Sequence, residues 1–141
     1  MGETSLPSAA ARAANPAAVW QRRSRLLLQI FAPVLIATGL SGFVMPGSAA
    51  LMSNACPYNV FHLIAGSAGV ALAFSKNPRA ASTFNVAFGA VDLYQAAAGL
   101  TGLFPATLFA LRPADHVVHV VLGLLLVIVG WRGRPQTPSH A

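Results

Sequence analysis

The stretch Pro113-Ala-Asp115-His116-Val-Val-His119-Val-Val-Leu-Gly123-Leu-Leu-Leu-Val-Ile-Val-Gly130-Trp131 decides the fold. After one polar turn it is almost wholly apolar, close to the roughly 20 residues that an α-helix needs to cross a bilayer. Proline precedes it and Arg132 and Arg134 follow it. The spacing predicts a membrane span over about 115–131.

Three further stretches upstream read the same way, over about 26–45, 58–75 and 84–104. Prolines mark their borders: Pro46, Pro57, Pro105 and Pro113. A residue without an amide donor suits a helix start or the chain just beyond a helix end. Pro33 falls inside the first stretch and predicts a kink there. No segment alternates apolar and polar residues with period two, so a β-barrel is not indicated. The fold class expected is all-α, a four-helix transmembrane bundle.

Composition agrees with that reading. The chain has 141 residues, 55% of them hydrophobic and 9% charged, where soluble domains carry about 25% charged residues. Nine Lys and Arg with three Asp and Glu cannot make a water-facing surface. Apolar content this high also excludes intrinsic disorder. One cysteine, Cys56, excludes an internal disulfide, a CxxC redox pair and a thiolate metal cage. Residues 1–25 form an Ala-rich basic segment, read as a disordered or interfacial tail, and 132–141 a short polar tail.

Cytoplasmic loops collect Lys and Arg. Arg12, Arg22, Arg23, Arg25, Lys76, Arg79, Arg132 and Arg134 fall on one side if both termini share it, leaving Arg112 alone on the other. Both termini are therefore expected in the cytoplasm, with the chain in the bacterial inner membrane. The net charge of +6 adds attraction to anionic headgroups, and no basic face or module suggests a nucleic-acid partner. Arg22-Arg23 ahead of the first span and Ser48, Ala49 and Ala50 behind it also fit a cleaved signal. The basic region and the apolar run are both too long for one, so the span is read as retained. Tyr58 and Trp131 are placed in the interfacial aromatic belts, and Trp20 near the headgroups beside the arginine cluster.

Polar residues enter the spans with helical spacing. Asn59, His62, Gly66, Gly69 and Ala73 share one face of the second span, and Asp115, His119, Gly123 and Gly130 one face of the fourth. Asn85, Gly89, Asp92, Gln95, Ala96 and Gly99 share a face of the third. Asn59 and Asp115 are read as N-caps. That puts His62 and His119 at matching depth, roughly 5 to 6 Å inside, and Asp92 roughly 12 Å deeper. Asp92 is therefore not expected to pair directly with either histidine.

The segments Tyr58-Asn59-Val-Phe-His62-Leu-Ile-Ala-Gly66 and Asp115-His116-Val-Val-His119-Val-Val-Leu-Gly123, with Gly39-x-x-Gly42-Phe43 closing the first span, resemble a known pattern. Asn-x-x-His-x-x-x-Gly and Asp-x-x-x-His-x-x-x-Gly open the second and fourth helices of a bacterial family of small four-span membrane proteins known only as a domain of unknown function. The resemblance covers about residues 26–131. It implies the four-span fold and no catalytic residues.

Several chemistries suit these residues. The first is a structural or interaction protein in which the polar groups specify one packing. Gly66, Gly69, Gly99, Gly102 and Gly123 would let helices approach closely. The polar pocket expected between the second and fourth helices draws on Asn59, His62, Asp92, Gln95, Asp115, His116 and His119. A second reading is a divalent metal held by His62, His116, His119 and Asp115. A third is haem b between His62 and His119, and a fourth is proton or small-solute passage using Asp92, Gln95 and Tyr94. No prosthetic group is the default. No Gly-x-Ser-x-Gly and no phosphate-binding glycine loop occurs, so no enzyme class is assigned. A homo-oligomer or a membrane-protein partner stays open, as does an intermolecular disulfide at Cys56.

Overall fold

A computed structural model describes residues 16–134. Every regular element among them is an α-helix: α1 Pro16–Val44, α2 Cys56–Ala73, α3 Ala80–Thr101, the single-turn α4 Ala106–Phe109, and α5 Pro113–Arg132. Three of these, α1, α2 and α5, are long and apolar enough to cross a membrane, which marks the chain as a membrane protein. The third predicted span, α3, is not among them; its interior carries Asn85, Asp92 and Gln95, all buried.

Helix borders depart from the expected ones in instructive ways. The first helix starts at Pro16 rather than near Leu26, so residues 16–25, read as tail, are helical. Of the C-terminal tail, Arg132 ends the last helix and 133–134 follow it, while residues 1–15, Arg12 among them, and 135–141 lie outside the described residues. Pro33 sits inside α1 without ending it. Pro57 and Pro113 occupy the first turns of α2 and α5, where a missing amide costs nothing. The third helix stops at Thr101, three residues before Phe104, because Gly102 turns left-handed with φ of 71°.

The helices associate as two tight pairs, α1 with α2 and α3 with α5, and the pairs then meet across a looser contact. Small residues make each pair close. A side chain added at Gly66 would meet Ala32 O at 2.9 Å, and one at Gly69 would meet the Ala32 Cβ at 2.8 Å, so α2 lies against the α1 backbone. In the other pair Gly89 and Gly123 face each other, each within 2.9 Å of the other's carbonyl oxygen once a Cβ is placed. Gly99 is also a contact residue, since its missing side chain is the recess that seats the His116 ring. Gly102 is not: nothing lies within 4 Å of it, and its role is the helix end. The packing role expected of Gly102 is corrected accordingly.

The interior is mixed and the exterior oily. Phe31, Leu35, Phe88 and Leu126 form one apolar layer, and Leu28, Ala32, Ala73 and Ala81 another. Ser24, Asn59, His62, Asn85, Asp92, Gln95, Asp115 and His119 are buried beside them. Outward-facing positions are instead large and apolar, such as Ile30 at 68% and Ile64 at 67% exposure. Both acidic residues among the described residues are inside. Water would reward the opposite arrangement; lipid tails reward this one.

Candidate functional site

Two loops, 45–55 and 102–112, meet at one end of the molecule around Asp115. Its carboxylate accepts from Arg112 N at 2.7 Å, Ser53 N at 3.0 Å and the Tyr58 hydroxyl at 2.8 Å. Arg112 is the N-cap of α5 and Pro113 follows it, so Asp115 is the third helical residue. The expected N-cap role of Asp115 is thereby corrected. Its carboxylate instead reaches back to the cap amide, where it also meets the positive end of the helix dipole.

The same end is tied further by Arg112 and Ser53. The Arg112 guanidinium donates to Ala50 O and, at 3.1 Å, to Gly47 O. The Ser53 hydroxyl donates to Phe109 O and accepts from Ala55 N at 3.1 Å. Asn59 is not a cap either, because α2 begins three residues ahead of it at Cys56, with Ala55 as its cap. Its amide donates to Asn54 O at 3.2 Å, and its side chain fills the recess left by Gly42. Cys56 is exposed at the start of α2.

Tyr58 belongs to this interior rather than to an interfacial belt. It is 0% exposed, with its ring edge-on to His62 at 4.2 Å and to Phe109 at 5.7 Å. A phenol whose hydroxyl reaches a carboxylate can be buried; one without a partner stays at the wet edge. The Tyr58 oxygen lies 3.4 Å from His119 Nε2. As the hydroxyl proton goes to Asp115, this oxygen accepts from His119 and leaves His119 Nδ1 as a bare acceptor, without a partner among the described residues. His62 donates from Nδ1 to Tyr58 O at 2.9 Å, which leaves Nε2 as its acceptor.

Below this network lies a cavity of about 130 Å³, lined among others by Thr38, Met52, His62, Asp92, His119 and Leu122. All four long helices contribute to it; the sequence reading places the pocket between α2 and α5 with Asp92 and Gln95 of α3 as members, and α1 is the addition. His62 and His119 each stand six residues inside their helices, about 9 Å. Asp92 stands nine residues from the end of α3, about 13 Å. The expected gap of 12 Å therefore shrinks to a few ångström, because α3 ends early and α2 and α5 begin early. Asp92 joins the histidines, and no group among the described residues donates to it.

The other expected pocket members go elsewhere. Gln95 is buried with its carbonyl oxygen unpartnered, His116 is packed into Gly99, and neither lines the cavity. Tyr94 is half exposed and donates to Phe104 O at 2.7 Å, away from Asp92. The metal set of His62, His116, His119 and Asp115 is likewise not assembled: among the described residues no three His, Cys, Asp or Glu come together as ligands. Asp115 is spent on its three donors and His116 turns toward α3. Haem does not fit between His62 and His119 either. Pockets for drug-sized ligands run to about 300–1,000 Å³, and this one, at about 130 Å³, falls well short of that.

A second hollow of about 310 Å³ sits nearer the Asp115 end, lined by Thr38, Ser41, Gly42, Met45 and residues 49–54. Thr38 and Met52 border both spaces. On the opposite side of the cavity the Phe31, Leu35, Phe88 and Leu126 layer intervenes before the next polar group, Asn85, whose amide donates to Ser24 O at 3.0 Å. The two spaces thus share a border at Thr38 and Met52, and apolar side chains separate the cavity from Asn85.

Tyr58, Ser53 and Thr38 are the site residues that sequence reasoning misses. No family model matches the chain, and no curated protein or solved structure is similar to it.

Proposed function

We propose that this is a four-span protein of the bacterial cytoplasmic membrane, both termini inside, that binds a small hydrogen-bond donor in the His62–Asp92–His119 cavity. The orientation puts the seven basic residues of the far end in the cytoplasm and the Asp115 end outside. In this reading α3 is the fourth span. Its polar groups are buried against α5 and α1, so lipid need not solvate them. The likeness to the small four-span family belongs to the same reading, since Asn59, His62, Gly66, Asp115, His119 and Gly123 are all buried.

One observation carries the ligand: the cavity gathers acceptors from three helices, α2, α3 and α5. His119 Nδ1 is buried without a partner among the described residues, and His62 Nε2 and the Asp92 carboxylate face the same space without a hydrogen bond from them. A buried polar atom left like His119 Nδ1 costs about 1–3 kcal/mol. A compact donor, water or an ammonium-sized cation, satisfies all three, and the volume suits nothing much larger. The apolar layer beneath makes the site a binding pocket rather than a route across.

Methylammonium, titrated into purified protein in neutral detergent, should raise the unfolding temperature by several degrees, and Asp92→Asn should abolish the rise. No shift up to 100 mM in the wild-type protein would overturn the ligand assignment. The alternative is a purely structural or interaction role, favoured by the close glycine contacts of both helix pairs. It predicts that Asp92→Asn leaves stability unchanged or improved and that no small amine has any effect.

A further inference from the structure

The far end of the molecule carries a charge that the described residues do not balance. Arg22, Arg23, Arg25, Lys76, Arg79, Arg132 and Arg134 gather there through helix starts, ends and the 74–79 turn. The acidic side chains of the described residues are Asp92 and Asp115, both buried and both remote from it. Several of these cations are held in place. Arg23 and Arg132 lie over the Trp20 ring at 4.5 and 4.8 Å from its centre, and Arg134 lies 5.5 Å from that of Trp131. Arg25 donates to Ser75 O at 3.3 Å, which pins the 74–79 turn against α1.

Beside that pinned turn is a cavity of about 240 Å³ lined by Ala18, Gln21, Arg22, Arg25 and Pro78. Among the described residues its walls offer two guanidiniums and no carboxylate, together with the Gln21 amide, which also donates to Gly133 O at 3.2 Å. Each guanidinium presents five donors in a planar fork whose geometry matches phosphate oxygens, and Arg25 commits one of them to Ser75. Just beyond, Leu26 and Ile30 stand exposed along α1. A molecule that places a phosphate between Arg22 and Arg25 has an apolar helix face for whatever hangs below it. Free phosphate would use the arginines but not that face.

We infer that the cavity bounded by Arg22, Arg25 and Pro78 is a binding site for the phosphate headgroup of an anionic phospholipid, whose acyl chains run along Leu26 and Ile30. Lys76 and Arg79, from the same turn, add attraction for a net negative headgroup over a zwitterionic one. The inference rests on the chain being membrane-embedded and is independent of the His62 cavity.

The test uses delipidated full-length protein in neutral detergent, followed by thermal unfolding in the presence of added lipid. Phosphatidylglycerol should raise the unfolding temperature saturably, while phosphatidylcholine and inorganic phosphate should not. Arg22→Gln with Arg25→Gln should weaken the phosphatidylglycerol response about 30-fold, as expected for two headgroup cations worth about 1 kcal/mol each. Arg134→Gln, a cation of the same end outside the cavity, should leave it within about twofold. Should Arg25→Gln fail to fold for want of its bond to Ser75, Arg22→Gln alone carries the test with a loss of about fivefold. Equal responses to the two lipids, or an equal loss with Arg134→Gln, would overturn the site, and a response to inorganic phosphate alone would overturn its assignment to lipid. Failure of the methylammonium test leaves this result untouched, so the two readings fail separately.

Discussion

The helices α2 and α5 are written almost alike and used differently. Each begins with a proline in its first turn, carries a histidine six residues in, and places a glycine four residues beyond it. The difference lies in the polar residue ahead of the histidine. Asn59 is neutral, bonds only to the neighbouring loop at Asn54 O, and nestles against Gly42. Asp115 is acidic and gathers three donors, one from the cap of its own helix and two from other segments of the chain. Shared spacing therefore fixes which face turns inward and how deep the histidine sits, whereas the identity of one side chain decides what the end of the helix holds together. In α2 that residue fits a contact; in α5 it organises the loops and, through Tyr58, the histidine beneath.

The sharpest way to break the comparison is to truncate both residues. Asp115→Ala strands Ser53 N, Arg112 N and the Tyr58 hydroxyl and should cost about 3–5 kcal/mol, read as a large fall in unfolding temperature in detergent. Asn59→Ala should cost about 1 kcal/mol; equal losses would mean that the two helices are held alike after all. Next come the glycines four residues beyond the histidines. Gly66→Leu and Gly123→Leu both press on partner backbone, at Ala32 O and Gly89 O, and should cost similar amounts of about 2–3 kcal/mol. A clear inequality would show that one pair is the softer.

Smaller again is Tyr58→Phe, expected at about 1–2 kcal/mol. Its coupling to Asp115→Asn in a double-mutant cycle should be about 1 kcal/mol if the hydroxyl serves the carboxylate and not the histidine. The smallest effect belongs to the outer faces. Ile64→Ala and Val121→Ala, both more than half exposed, should stay within about 0.5 kcal/mol of the parent in detergent, and a larger loss would point to a protein surface covering that face.

What could be read in the sequence was the part governed by periodicity. Spacings of three and four put His62, Gly66 and Gly69, or His119 and Gly123, on one face wherever the helix lies, and those faces are the buried ones. Contacts between distant segments could not be read that way. Nothing near Tyr58 announces that a carboxylate 57 residues on will accept its hydrogen bond, so a tyrosine near a span border reads as a belt residue. The depth of Asp92 depended on where three helices end, and errors of a few residues at each border accumulate into ångströms. Part of that was recoverable. Proline at the first position of α5 places Asp115 at the third, and Gly102 marks a left-handed stop.

The lengths of the helices have a consequence of their own. At 1.5 Å per residue, α1 extends about 44 Å and α2 only about 27 Å, against a hydrocarbon slab of about 30 Å. Helix α1 can tilt or protrude in any membrane, but α2 is at the short limit and its partners hold it in register. Thickening the bilayer therefore stretches this protein at one helix first, and lipids with shorter tails should be its preferred neighbours.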